Sequence, residues 1–151
     1  MASAAAGVTG LYNPEFMDHV QHPDYKYPME DATLSLEGVN PSCGDELTFS
    51  VRLDSEGRIE EASYQGQGCA ISQASADMMS DLMVEKTPEE ALELCRLFGR
   101  MVRGEETDEE VLGQLGDAAM LKDISHMPAR VKCAELAWRT LSEMLEGREG
   151  A

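Results

Sequence analysis

The hydrophobic pattern of this chain changes once, near residue 70, and that change limits the folds open to it. Between residues 32 and 65 apolar and polar residues alternate, most clearly over residues 47–53, and a turn at 54–57 leads to a third run at 59–65. This alternation predicts three half-buried strands. From residue 70 onward the apolar residues recur every three or four positions, which is typical of amphipathic helices. Strands followed by helices predict an α+β fold: a small three-stranded antiparallel sheet with helices packed on one face.

Helix-starting residues divide the remaining sequence. These residues are Asn13 with Pro14, Pro88, Asp108 and Pro128. They predict a helix at 11–21 and further helices after residue 87, after residue 108 and near the C-terminal end. Gly104 is expected to end the second of these helices. We expect one domain over residues 11–147, preceded by a flexible tail at residues 1–10.

The charge of the chain excludes some classes of partner. The net charge is −17, from 29 acidic and 12 basic side chains. A nucleic acid or an anionic membrane would repel such a surface, so we expect neither. The acidity suits a protein partner with a basic surface; the alternative is that it only keeps the protein soluble.

The expected compartment is the cytoplasm. The sequence contains no apolar run near the ~20 residues of a membrane span, and its first residues lack the charge and apolar block of a signal peptide. Disulfides are rare in the reducing cytosol, so the four cysteines are expected to be free for metal binding or thiol chemistry.

Three cysteines lie where predicted elements begin or end, and one does not. Cys43 lies in a turn between strands, Cys69 lies between the last strand and a helix, and Cys133 lies early in the final helix. The positive end of the helix after Cys69 favours its thiolate form, although a plain strand–helix junction would show the same pattern. Cys95 occupies an apolar helical face and is predicted to be a core residue.

A second pattern places a carboxylate beside one of these thiols. In Cys43-Gly44-Asp45 a glycine-containing turn allows both side chains to reach one metal ion. Three cysteines and one aspartate would satisfy four-coordinate zinc. Alternatively, Asp45 is a turn residue that bonds its own backbone. The spacings lack the paired Cys-x-x-Cys pattern of zinc ribbons, so the sequence leaves both alternatives open.

The histidines add little to this set. His19 and His22 are predicted to be surface residues near the N-terminus. His126 precedes Cys133 in the sequence but is not expected to be a ligand.

Three motifs in a fixed order resemble a known family. They are Asn-Pro-x-Cys-Gly-Asp at 40–45, Gly-x-Gly-Cys-Ala-Ile-Ser at 66–72 and Arg-Val-Lys-Cys-Ala at 130–134. Together they resemble the U-type iron–sulfur cluster assembly family, which includes IscU and the N-terminal domain of NifU. The resemblance extends over nearly the whole chain.

Within that family the chain is more similar to the SufU branch than to the IscU branch. Lys132 stands where IscU-type proteins carry histidine, and residues 127–132 depart from their Leu-Pro-Pro-Val-Lys chaperone segment. The stretch 99–121 looks like the insertion of SufU-type chains. These departures count against a classical scaffold role.

The resemblance implies a site and a reaction. It implies zinc held by the residues that match the family's ligands: Cys43, Asp45, Cys69 and Cys133. SufU-type proteins accept persulfide sulfur from a pyridoxal-phosphate cysteine desulfurase of the SufS type and pass it toward other SUF assembly proteins. Cys43 matches the acceptor, and Arg130 matches an arginine that assists it. Such a sulfurtransferase acts as a co-substrate or activator of the desulfurase, and whether it counts as an enzyme stays open.

Two other functions remain compatible with the same residues. Thiolates suit iron as well as zinc, so the four ligands would also hold a nascent [2Fe–2S] cluster on a scaffold. A purely structural zinc domain that serves protein contacts is the third alternative.

Overall fold

The computed structural model describes residues 10–150, and the side chains of residues 11–147. Within these residues three strands form one antiparallel sheet in chain order: β1 (Leu34–Asn40), β2 (Asp45–Leu53) and β3 (Ile59–Gln67). Leu36 lies opposite Phe49, and Phe49 lies opposite Tyr64, so the large apolar side chains share one face. The predicted three-stranded sheet is confirmed.

Five α-helices accompany the sheet in the described part of the chain. They are α1 (Pro14–Gln21), α2 (Ala70–Met83), α3 (Pro88–Val102), α4 (Glu109–Leu112) and α5 (Pro128–Gly150). The side chain of Asn13 caps α1 by accepting from the N–H of Phe16 at 2.8 Å, and Asp108 caps α4. Gly104, with φ of +79°, follows the end of α3. The helix starts indicated by Asn13 with Pro14, Pro88, Asp108 and Pro128 are confirmed. The α+β class is confirmed as well.

Two stretches of 3₁₀-helix within residues 10–150 were not predicted. Gly10–Tyr12 forms a 3₁₀ turn, so the helix predicted for residues 11–21 begins only at Pro14. The longer stretch, Gly113–His126, buries residues spaced three apart: Leu115, Ala118, Leu121 and Ile124. That period matches the three residues per turn of a 3₁₀-helix and not the 3.6 of an α-helix. Gly116, at φ 59° and ψ −136°, interrupts this stretch.

Helices α2 and α5 pack on the apolar face of the sheet and on each other. Trp138 of α5 stacks on Phe98 with ring centroids 4.1 Å apart, and its Nε1 donates to Oγ of Ser75 in α2 at 2.8 Å. A Cβ on Gly38 of β1 would lie 2.2 Å from Oγ1 of Thr140, so only glycine lets α5 approach this strand so closely. This packing brings the first turns of α2 and α5 to the turn between β1 and β2.

Some sequence predictions concern the limits of the chain. The tail predicted for residues 1–10 lies outside the residues whose side chains are described. The single domain over residues 11–147 stays a prediction. Within residues 10–150, no helix has both the length and the apolar character that a bilayer crossing requires.

Candidate metal centre

The turn between β1 and β2 carries the first ligand candidates. Asn40 ends β1 and Asp45 begins β2, opposite each other in the ladder. The N–H of Cys43 donates to the carbonyl of Asn40 at 3.2 Å, which closes the turn. Gly44 has φ of +73°, a left-handed conformation that glycine adopts at little cost. Cys43 therefore lies half-buried in the turn, next to a strand that begins with a carboxylate.

The carboxylate of Asp45 is fully buried and takes part in three hydrogen bonds. Its Oδ1 accepts from the backbone N–H of Cys69 at 2.9 Å and from Oγ of Ser72 at 3.0 Å. Its Oδ2 accepts from Nδ2 of Asn40 at 3.2 Å. These donors stabilise a charge that would otherwise be costly to bury. The alternative that Asp45 only bonds its own turn is wrong, because two of its donors come from the α2 end of the molecule.

Cys133 reaches the same place from α5. Its side chain is fully buried, and its Sγ lies 2.8 Å from Sγ of Cys43. Nδ2 of Asn40 approaches Sγ of Cys133 at 3.6 Å. One ligand atom from each of Cys43, Asp45 and Cys133 lies within 4.8 Å of the other two. Residues ninety positions apart in sequence thus meet at one point.

Cys69 lies at the border of this group, at the start of α2. It is the N-cap residue, and its Sγ accepts from the N–H of Ser72 at 3.4 Å. Its own N–H is bound to Asp45. Cys69 does not belong to the group of three residues whose ligand atoms lie within 4.8 Å of one another. It is nevertheless close enough to act electrostatically on Cys133. The predicted position of Cys69, at a strand–helix junction, is confirmed.

The electrostatics of the site disfavour a set of bare thiolates. Burial raises the pKa of the Cys133 thiol, and its contacts with Cys43 and Cys69 raise it further. Arg130, one turn before Cys133, places Nη1 4.0 Å from Sγ of Cys43. A hydrogen bond with Cys133, and next the charge of Cys69, raise the pKa of the Arg130 guanidinium. Arg130 is thus a positive group that faces the sulfur atoms.

The donor set fits a divalent metal ion of the zinc type. Zinc prefers cysteine sulfur, histidine nitrogen and carboxylate oxygen in four-coordinate sites. Cys43, Asp45 and Cys133 supply two sulfurs and one oxygen within reach of each other, and Cys69 lies beside them with a third sulfur. A cation would also offset the mutual repulsion of these acidic groups. The same sulfurs suit iron, so donor chemistry alone does not select the metal.

The other cysteine and the histidines lie elsewhere. Cys95 is buried in α3, which confirms the prediction of a core residue, and burial raises the pKa of its thiol to about 12. His22 is exposed, as predicted. The prediction that His19 is a surface residue is wrong, because its side chain is only 15% exposed and bridges the carboxylates of Asp77 and Asp117. His126 is exposed beside a small cavity that Lys122 also lines, apart from the cysteines.

His19 joins three parts of the chain. Its Nδ1 lies 2.7 Å from Oδ2 of the buried Asp77 in α2, and its Nε2 lies 3.2 Å from Oδ2 of Asp117 in the 3₁₀ stretch. Burial acts to lower the pKa of His19, but the two carboxylates outweigh it and the pKa is raised. The helix α1 is thus attached to the rest of the fold by an ionic contact that sequence alone did not indicate.

Sequence reasoning also missed two residues that contact the ligand candidates. Asn40 donates to Asp45 and Cys133, and Ser72 donates to Asp45. A signal was present, because Asn40 begins the first of the three motifs and Ser72 ends the second.

Comparison with known proteins identifies the family. The NifU-like N-terminal domain matches residues 11–139, which include every residue of the site. The chain belongs to the NifU-like N-terminal domain family. The chain is 37% identical over 145 residues to the zinc-dependent sulfurtransferase SufU of Bacillus subtilis, covering 96% of each protein. It is 38% identical over 136 residues to the iron–sulfur cluster assembly scaffold protein IscU of Thermotoga maritima, covering 90% of this chain and 93% of that protein.

A solved structure places this NifU-like chain in the same fold. The crystal structure of FiSufU, a protein of Fervidobacterium islandicum assigned to the SUF system, superposes with a TM-score of 0.82 at 36% identity, covering 91% of this chain and 98% of that one. The predicted resemblance to a SufU-type member of the U-type family is confirmed.

Proposed function

We propose that this protein is a zinc-dependent sulfur acceptor that takes persulfide sulfur from a cysteine desulfurase for iron–sulfur cluster assembly. The observation that carries the proposal is the meeting of Cys43, Asp45 and Cys133 within 4.8 Å, with Cys43 the half-buried member and the other two fully buried. Similarity to the zinc-dependent sulfurtransferase SufU supports it.

The proposed metal ligands are Cys43, Asp45, Cys69 and Cys133. Zinc bound to them would keep the sulfurs deprotonated and would add to the stability of the fold. Asp45 is held by hydrogen bonds to the start of α2, so it supplies a fixed oxygen. Cys69 is anchored by the same contacts and lies beside the other three residues.

Cys43 and Cys69 are both half-buried, but Sγ of Cys69 accepts a hydrogen bond at the start of α2 whereas Sγ of Cys43 faces Arg130, so Cys43 is the proposed nucleophile. Its thiolate attacks the terminal sulfur of the desulfurase persulfide, and a new S–S bond forms between that sulfur and Sγ of Cys43. The S–S bond of the donor persulfide breaks, and its electron pair stays on the desulfurase thiolate. The exchange needs no external oxidant or reductant. Cys133 is fully buried and cannot make this attack from its observed position.

Arg130 is proposed to assist the transfer. Its Nη1 lies 4.0 Å from Sγ of Cys43, where a guanidinium stabilises a negative sulfur atom. The persulfide on Cys43 would carry its charge on the terminal sulfur, next to this group.

The proposed partner is a pyridoxal-phosphate cysteine desulfurase of the SufS type, with other SUF assembly proteins downstream. The net charge of −17 favours association with a basic protein surface. We propose a cytoplasmic location, where free thiols persist.

The test is the turnover of a cognate desulfurase with and without this protein. Zinc-loaded wild type should stimulate turnover, and Cys43→Ala should not. Cys95→Ala is the matched control, because Cys95 is a thiol in the core outside the site, and this variant should stimulate as wild type does. Full stimulation by Cys43→Ala would remove Cys43 from the acceptor role. No stimulation by wild type would contradict the sulfur-acceptor function and would leave the cluster scaffold and the structural zinc domain.

A cluster scaffold is the second candidate. The similarity to the scaffold protein IscU of Thermotoga maritima favours it, and the same sulfur donors suit a [2Fe–2S] cluster. Metal analysis of the purified protein separates the two. A colourless protein with one zinc supports sulfur transfer, whereas a brown protein whose cluster passes to apo-proteins supports the scaffold.

A further inference from the structure

Asn40 contacts two of the proposed ligands at once. It is 5% exposed, at the last position of β1. Its Nδ2 lies 3.2 Å from Oδ2 of Asp45 and 3.6 Å from Sγ of Cys133. An amide nitrogen carries two hydrogens, so it can donate to both acceptors together. The side chain thus connects the β1–β2 turn to α5 at the site itself.

The hydrogen bonds of Asp45 indicate which of its oxygens is open to a cation. Oδ1 accepts from the N–H of Cys69 and from Oγ of Ser72, which uses both of its in-plane lone pairs. Oδ2 accepts only from Asn40 among the described residues, so one lone pair remains. The hydrogen bond from Asn40 therefore determines in which direction the remaining lone pair of Oδ2 points.

We propose that Asn40 is a positioning residue of the metal centre, which aims Oδ2 of Asp45 and Sγ of Cys133 at one ion. The inference rests on the proposed zinc site and adds a residue that does not itself bind the metal. A neutral amide suits this task, because it orients both ligands without adding a negative charge and without competing for the cation. Groups that hydrogen-bond to metal ligands commonly change metal affinity by about 10–100-fold when they are removed.

The experiment measures zinc affinity by competition with a chromogenic chelator, without any desulfurase. Asn40→Ala should weaken binding by about 10–100-fold. Asn40→Asp keeps the shape but replaces the donor by a second carboxylate, so it should weaken binding at least as much. Asn40→Gln keeps the amide on a longer arm and should recover most of the lost affinity. Thr140→Ala is the matched control: Thr140 is a buried polar residue whose Oγ1 bonds the carbonyl of Leu136, away from the ligands, and its loss should leave affinity unchanged.

Two further measurements separate orientation from folding. Circular dichroism of the zinc-free variants reports whether each one folds, and the thiolate-to-cobalt absorption of the Co²⁺-loaded proteins reports ligand geometry. The proposal predicts an altered cobalt spectrum for Asn40→Ala and a spectrum near wild type for Asn40→Gln. Unchanged affinity and spectrum for Asn40→Ala would overturn it, as would equal losses in the alanine and glutamine variants. If wild type itself binds no zinc, the proposed function fails instead.

Discussion

A methyl group at position 68 would press directly on the donors of Asp45. A Cβ built on Gly68 lies 2.4 Å from Oγ of Ser72 and 2.8 Å from Oδ1 of Asp45. Normal carbon contacts begin near 3.5 Å, so both neighbours must move in Gly68→Ala. The Ser72 hydroxyl would rotate away and lose its hydrogen bond to Asp45, at a cost of about 1 kcal/mol. Displacing the buried carboxylate adds about 1–3 kcal/mol of overpacking.

The expected loss of stability is therefore about 3 kcal/mol, which lowers the melting temperature of a domain this size by about 6–12 °C. Thermal unfolding of the zinc-free protein measures this effect, and chelator competition should show weaker zinc binding as well. Gly113→Ala is the matched control, since nothing lies within 4 Å of a Cβ at Gly113. If Gly68→Ala has the same melting temperature and the same zinc affinity as Gly113→Ala, the packing around Asp45 is refuted.

Three other variants or treatments test separate parts of the structure. Gly66→Ala should destabilise the protein by at least about 3 kcal/mol in urea unfolding. The reason is that φ of Gly66 is +120° and the new Cβ would lie 2.1 Å from the carbonyl oxygen of Glu46. A variant as stable as wild type would contradict the strand register. Iodoacetamide at pH about 8 should leave Cys95 of the folded protein unmodified, since burial raises the pKa of its thiol to about 12. Peptide mass spectrometry measures the labelling, and early modification of Cys95 would contradict the prediction. His19→Gln should lower stability most below pH 6.5, the ordinary pKa of histidine, where both folded and unfolded His19 are charged. That difference should shrink as pH rises through the raised pKa of the folded state, and a pH-independent difference in urea unfolding would exclude the ion pairs.

The sheet and most helix starts were predictable because their signals are local. Alternation over residues 47–53 reflects one buried face, and capping residues such as Asn13 act on neighbouring N–H groups. The 3₁₀ stretch Gly113–His126 was not predicted, because its buried residues repeat every three positions. That repeat does not match the period of 3.6 that indicates an α-helix.

The residue types of the site were predictable, and the family resemblance implied one shared metal ion, whereas the spacing of the residues alone did not show that they meet. Motifs identified Cys43, Asp45 and Cys133, but their meeting depends on how α5 packs across the sheet, and no spacing encodes that. The bridge made by His19 escaped for the same reason, because its partners lie 58 and 98 positions away. Asn40 was visible in a motif, yet only the structure shows that its amide faces two ligands.

The most direct test of sulfur transfer is to locate the sulfur after the reaction. Zinc-loaded protein is incubated with the desulfurase and cysteine, quenched with an alkylating agent, and digested for peptide mass spectrometry. Sulfur transfer through Cys43 predicts one added sulfur atom on Cys43, and none on Cys69, Cys133 or Cys95. Sulfur found mainly on one of the other three cysteines, or on none of the four, would contradict it.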